Sequence, residues 1–381
     1  MNNKILFLTP ARYPTEKAYG VTTGNTLEAL SRLGASVEIW NRDYSGTDEY
    51  GNHLFQPGKK KLPKKRLLYR IDILGVSKWA YVLDQLKFGL SCKVALKKEL
   101  GNVVVWTRFP LVALVASVSP NIELVVIELH HQPNFTSRLF LRGLGKLKRL
   151  KVAVISQKSK TQFDSLGLGI RTFTLEMSVP EKFIQSAIHP LTLPAKVCYL
   201  GKSKSSGNTN NLEFILSGYS QTKRASQSKL ELVGVESLEA STLAVYAEKL
   251  RIPQSSIQFV SHIPHKEVDE YLNGASIGLV PYELNNYNSA RFPIKILEYA
   301  AKGIWILAPE SFAANLQIPP GVIITYKDAD STDFAKELDS LIEKLNLEPT
   351  RNSIAIEFAK LRTYSNRAQK YMEQIESNNL D

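Results

Sequence analysis

The sequence predicts an α/β protein made of two successive halves, each a parallel sheet layered with helices. Three observations carry this expectation. The chain opens with strand, loop, helix, Gly34 and strand, which is a βαβ unit. A second series restarts at Lys196-Val-Cys-Tyr-Leu-Gly201 and continues through apolar strands at 230–234, 257–260 and 275–280. Between the two, from 173 to 193, apolar periodicity fades and Pro180, Pro190 and Pro194 fall close together, as in a linker. A chain of 381 residues has room for two domains of ordinary size, placed here at 1–185 and 186–350 with final helices at 351–381.

In chain order, residues 4–9 form the first strand and 10–19 a loop. A helix spans 21–33, with Leu27, Leu30 and Leu33 on one face, and the second strand covers 37–40. The loop is not G-x-G-x-x-G, which argues against dinucleotide binding. Gly20 either simply makes the turn or lets an anionic group approach the backbone N–H donors of the helix start. Residues 58–70 (Gly-Lys-Lys-Lys-Leu-Pro-Lys-Lys-Arg-Leu-Leu-Tyr-Arg) are basic, with leucines interleaved. Strands follow at 103–107 and 124–128, and the second runs into Glu128-Leu-His130-His131. A lone histidine at a strand end usually packs or caps, but two at the carboxyl end of a sheet point to a site. A second basic-apolar stretch at 138–151 and a strand at 152–156 complete the first half.

In the second half, Gly201-Lys-Ser-Lys-Ser-Ser-Gly-Asn208 joins a strand to a helix. It resembles a P-loop superficially, but lacks G-x-x-x-x-G-K-[ST], so ATP hydrolysis is not supported. Lys202 and Lys204 can neutralise a diphosphate or merely decorate a solvated turn. Pro293 opens a helix on which Ile294, Leu297 and Ala301 face the core, Gly303 ends it, and 304–308 is the next strand. Taken alone, Lys295 and Glu298 on that helix make a surface i,i+3 ion pair. Asp328-Ala-Asp330 either looks like a metal-binding D-x-D or caps the helix that begins near Thr332.

Composition narrows the class. With 44% hydrophobic and 22% charged residues the chain reads as a soluble globular protein. No opening segment looks like a signal peptide, the apolar run at 103–118 is broken by Arg108 and Pro110, and Cys92 and Cys198 form no framework or metal spacing. A cytoplasmic protein is expected. The net charge of +12 calls for an anionic partner: nucleic acid, a membrane surface or a phosphorylated substrate.

The stretch Pro293-x-Lys295-x-x-Glu298-Tyr299-x-Ala301-x-Gly303, preceded by Val280-Pro281, resembles the donor-site signature of family-4 retaining glycosyltransferases. The resemblance covers nearly the whole chain and implies the GT-B architecture, two Rossmann-like domains facing across a cleft that holds the active site. It implies that Glu298 holds the ribose hydroxyls of a nucleotide-sugar, that Gly20 lies near the diphosphate, and that His130, with His131 in reserve, reaches the sugar. It gives Lys202, with Gly201, a place beside the diphosphate; the family's second lysine there falls at Asn208, leaving Lys204 or Lys295 to act instead. Ile263 is matched to backbone contacts with the base, ahead of metal binding by His262 and His265. Arg291, Lys202 and Lys295 would stabilise the leaving diphosphate without a metal or cofactor, and the last helices would cross back onto the first domain. One departure stands out: the glutamate that many members carry eight residues before Glu298 is Ala290.

The expected function is transfer of a sugar from a nucleotide-sugar donor to a lipid-linked or saccharide acceptor of the cell envelope. The two basic-apolar stretches would sit on the anionic inner face of the membrane. No nucleic-acid motif is present. The rivals are a same-fold nucleotide-sugar 2-epimerase and a non-catalytic basic module that binds membrane or RNA.

Overall fold

The structure, a computed structural model, describes residues 4–42, 53–62, 77–99, 102–130, 133, 135–144, 149–191, 193–202, 204–205, 208–285 and 288–377. The chain divides into two compact units, Met1–Met177 with Tyr364–Asp381, and Ser178–Thr363.

The first unit contains β1 (Lys4–Thr9), α1 (Ala18–Arg32), β2 (Ser36–Arg42), β3 (Gly58–Leu62), α2 (Ser77–Leu96), β4 (Val103–Thr107), α3 (Pro110–Ser117), β5 (Ile122–Leu129), α4 (Phe135–Leu144), β6 (Leu150–Val154), α5 (Gln157–Asp164) and β7 (Arg171–Thr174). Its sheet runs β3-β2-β1-β4-β5-β6-β7, parallel throughout. The strands are apolar on both sides because both faces are covered. Leu6 and Leu8 of β1 with Val103 and Val105 of β4 pack into one core layer. Ile5 and Phe7 with Val104 and Trp106 pack into the other.

The second unit contains α6 (Glu181–Gln185), β8 (Ala195–Leu200), the short hairpin β9 (Lys204–Ser205) and β10 (Asn208–Thr209), α7 (Leu212–Gln221), β11 (Ser228–Val233), α8 (Ser237–Lys249), β12 (Ile257–Val260), α9 (His265–Leu272), β13 (Ile277–Leu279), α10 (Ile294–Ala301), β14 (Trp305–Pro309), α11 (Glu310–Leu316), β15 (Ile323–Tyr326), α12 (Ser331–Leu347) and α13 (Ser353–Lys360). The sheet order is β12-β11-β8-β13-β14-β15, again parallel. Each unit thus has its first strand at the centre, with the chain wound to one side and then the other. In such sheets ligands bind beyond the strand ends where the order reverses, beside β1 and β4 or β8 and β13.

The last helix, α14 (Tyr364–Glu376), returns to the first unit, where Ala368, Tyr371 and Ile375 join the layer of Phe7 and Trp106. The domain limits expected at 185/186 and 350/351 therefore fall at 177/178 and 363/364, and of the two final helices α13 stays with the second unit. Of the basic-apolar stretches, residues 58–62 form a strand paired with β2, while 63–70 and 145–148 lie outside the described residues. The helix expected from 21 begins at Ala18, which puts Gly20 inside its first turn, donating to Lys17 O at 2.7 Å. Asp330 caps α12, its Oδ1 accepting from Thr332 N at 3.0 Å and Asp333 N at 2.9 Å. Gly303, at φ +62°, ends α10.

Candidate functional site

In the second unit, the ends of β8 and β13 and the start of α10 bring together Tyr199, Gly201, Tyr282 and Lys295. Gly201 is held at φ +134°, and a Cβ there would lie 3.0 Å from Lys295 Nζ. Only glycine accepts that backbone together with that approach. Lys295 is 8% exposed. Its ammonium stands 3.9 Å from the Tyr199 ring centroid and 5.1 Å from that of Tyr282, with no carboxylate paired to it among the described residues. Arg291 lies 5.5 Å from the Tyr282 ring. Burial by itself raises the Tyr282 hydroxyl, but the Lys295 and Arg291 charges outweigh it and leave its pKa below the ordinary value. This strand end is strongly positive.

Glu298 does not pair with Lys295 on a surface, as the i,i+3 spacing alone suggests. Both are buried, and Glu298 Oε1 meets His265 Nε2 at 3.0 Å. His265 is the first residue of α9. That helix is tied down by Lys302, wholly buried, which bridges Asp269 at 2.7 Å and donates to Ser186. The sequence reading passed over His265 as a partner for Glu298; its place directly after Pro264, opening a helix, was the available signal.

Lys202 is different. Its side chain is 70% exposed and stands 3.5 Å from the exposed Glu236 carboxylate. Its carbonyl accepts from Tyr199 Oη at 2.8 Å and from Asn210 Nδ2, so the backbone of the loop is fixed while the ammonium faces solvent. Lys204 starts the β9–β10 hairpin, and its side chain, like those of Asn208 and Ala290, lies outside those described. Ile263 is half-buried in the segment between β12 and α9.

In the first unit, β5 carries Glu128 to the end of the sheet on the same face as Trp106 and α14. The side chain is fully buried, and its Oε1 is met by three nitrogens, two hydrogen-bonded to it and Arg367 Nη2 in ion-pair contact. Arg108 Nη2 lies at 3.0 Å, Arg367 Nη2 at 3.0 Å, and His130 Nε2 at 2.5 Å. The second oxygen is buried without a hydrogen-bond partner among the described residues. Burial opposes the charge, yet the two guanidinium groups hold the Glu128 carboxyl well below its ordinary pKa. Burial and the Arg108 charge lower His130 to about 4 against the pull of Glu128, which leaves the ring neutral near pH 7. Arg108 Nη1 also donates to Tyr19 O at 3.2 Å, linking this cluster to the turn at Gly20. A Cβ on Gly20 would lie 2.1 Å from Thr15 O, so packing alone already requires glycine there. His131 is outside the described residues. Arg108 and Arg367 escaped the sequence reading. Among the described residues no three His, Cys, Asp or Glu side chains gather as a metal site would need.

Comparison with known proteins fits this architecture. Residues 194–344 match the family model described as glycosyl transferases group 1. No curated protein matches the chain. Among solved structures, a sucrose-phosphate synthase from Thermosynechococcus elongatus superposes with a TM-score of 0.70 at 15% identity, covering 98% of each chain. The lipopolysaccharide outer core galactosyltransferase WaaB in its apo form gives 0.69 at 16% identity, over 98% of this chain and 99% of that one. The Anabaena protein HepE in complex with UDP gives 0.69 at 14% identity, over 99% of this chain and 100% of that one. The chain as a whole therefore has the GT-B fold, and its residues 194–344 match the glycosyl transferases group 1 family model.

Proposed function

We propose that this protein is a retaining glycosyltransferase that uses a nucleotide-sugar. The observation that carries the reading is Lys295, a buried ammonium at the strand end beside Gly201 with no carboxylate paired to it among the described residues. A buried cation left without an acceptor is costly unless a ligand supplies one, and a diphosphate does. As the bond to the sugar breaks, negative charge grows on that diphosphate. Lys295 and Arg291, fixed against tyrosine rings, stabilise it without rearrangement, and Lys202 adds its charge from the solvent side. Glu298, oriented by His265, accepts hydrogen bonds from the ribose hydroxyls. The backbone at Ile263 meets the base, His130 meets the sugar, and Gly20 lies near the diphosphate. No metal or cofactor takes part in this scheme. Structures of HepE with UDP and with UDP-glucose support a uridine donor.

The acceptor we propose is lipid-linked or saccharide material of the cell envelope, reached from the cytoplasmic membrane face. WaaB, a lipopolysaccharide galactosyltransferase of the same fold, is one support. The basic-apolar stretches at 58–70 and 138–151 are the other, with Arg138, Leu139 and Arg142 exposed on α4. No described helix is long and apolar enough to cross a membrane, so attachment would be peripheral.

One set of measurements tests the reading. Titration with UDP, GDP and ADP should show saturable binding of one of them, and the matching sugar nucleotide should turn over in the presence of EDTA with the anomeric configuration retained. No binding of any nucleoside diphosphate would sink it and favour a non-catalytic module. Sedimentation with anionic vesicles, reversed by high salt, checks the membrane part, and equal binding to neutral vesicles would remove it.

A further inference from the structure

Arg367, on the last helix, is spent on the carboxylate that holds His130. We propose that Arg367 and Arg108 act through Glu128 as positioning residues, fixing His130 as its Nε2–H tautomer so that Nδ1 is presented as a hydrogen-bond acceptor for a hydroxyl of the transferred sugar. The identity of that hydroxyl rests on the transferase reading above; the tautomer does not.

The geometry leaves little choice. An ionised carboxylate only accepts, so the ring nitrogen 2.5 Å from Glu128 Oε1 must carry the proton. In a neutral imidazole the other nitrogen is then a lone pair. Two guanidinium groups share that one carboxylate, so the ring faces more positive than negative charge and a second proton is disfavoured. The charged groups acting on the imidazole come from three elements: Glu128 from β5, Arg108 from the end of β4 and Arg367 from α14. Tyr364 and Tyr371 of α14 complete the surroundings of the ion pairs.

Arg367 is also bonded to Thr26 Oγ1 at 3.1 Å, to Leu175 O at 2.6 Å and to Glu176 O, which is how α14 is clamped to the unit. A clamp alone would affect stability and nothing else. The proposal demands more: the helix that closes the chain sets the protonation state of a residue at the sugar.

Long-range ¹H–¹⁵N spectra of the full chain with ¹⁵N-labelled histidine give the decisive readout, with His130 assigned by its loss in His130→Asn. The expected wild-type spectrum is the Nε2–H tautomer, still neutral at pH 5. Arg367→Met should raise the pH at which His130 protonates by about one unit, because a nearby positive charge is lost. The acid limb of kcat/KM should move up with it, and kcat should fall more than KM rises. Arg367→Lys keeps a charge and should hold the acid limb in place. Thr26→Val removes one clamp bond and should lower the melting temperature without moving the titration. An Nδ1–H tautomer in the wild type, or a His130 titration that Arg367→Met leaves in place, overturns the proposal. Absence of sugar transfer by a wild type showing the expected tautomer counts against the transferase reading and leaves the imidazole assignment standing.

Discussion

The two units share one strand order and treat charge at their strand ends in opposite ways. In the first, two arginines converge on a single buried glutamate, so the cations are answered within the protein. In the second, Lys295 is buried against tyrosine faces with no carboxylate paired to it among the described residues. A charge-paired cluster orients its neighbours, whereas a buried cation with no anion beside it favours an anionic ligand. On the readings proposed above, the same scaffold supplies a positioning device in one unit and an anion-binding device in the other. The contrast can be broken or sharpened by substitution.

The largest expected effect is at Lys295. Lys295→Met should lower kcat/KM by about 100-fold or more, equivalent to about 2.7 kcal/mol of transition-state stabilisation. It should weaken nucleoside diphosphate binding but not nucleoside binding, and leave the melting temperature equal or higher, since it removes an unpaired buried charge. A marked loss of stability with normal diphosphate binding would show that Lys295 is a structural residue.

The first unit predicts the reverse, an effect on stability that depends on pH. His130 is held near 4 when folded and returns toward its ordinary value of 6.5 when unfolded. The unfolded chain therefore takes up a proton first as pH falls. Stability from this group is complete above the unfolded value, and is lost as the pH drops from there toward 4. Chemical denaturation of His130→Asn should show a flatter pH dependence across that window than the wild type. An unchanged slope would mean that His130 titrates alike in both states.

Lys202 should give the smallest effect. With its side chain exposed to water, Lys202→Ala is expected to cost only about two- to fivefold in kcat/KM, because exposed charges are screened. A loss as large as that at Lys295 would mean that donor binding draws this loop inward.

Much of the scaffold can be read from the chain itself. Short continuous apolar runs mark β1, β4 and β5, Pro293 and Gly303 bracket α10, and Asp330 announces α12, because each signal is local and set by backbone chemistry. The stretch around Glu298 pointed to a site only through its resemblance to a donor-site signature. Partner choice was not legible in this way. Helical spacing suggested that Lys295 and Glu298 pair with each other, yet burial turned one toward Tyr199 and the other toward His265, 33 residues away.

The sequence by itself determined two βαβ series, the helix that carries Lys295 and Glu298, and the strand end that carries Glu128 and His130. Only the tertiary structure decided that α14 folds back to set Arg367 against Glu128 and against Thr26, 341 residues apart in the chain. The physical reason is that backbone preferences act over a few residues and leave a period in the sequence. A buried charge takes whichever partner packing brings to it, and that choice leaves no local mark.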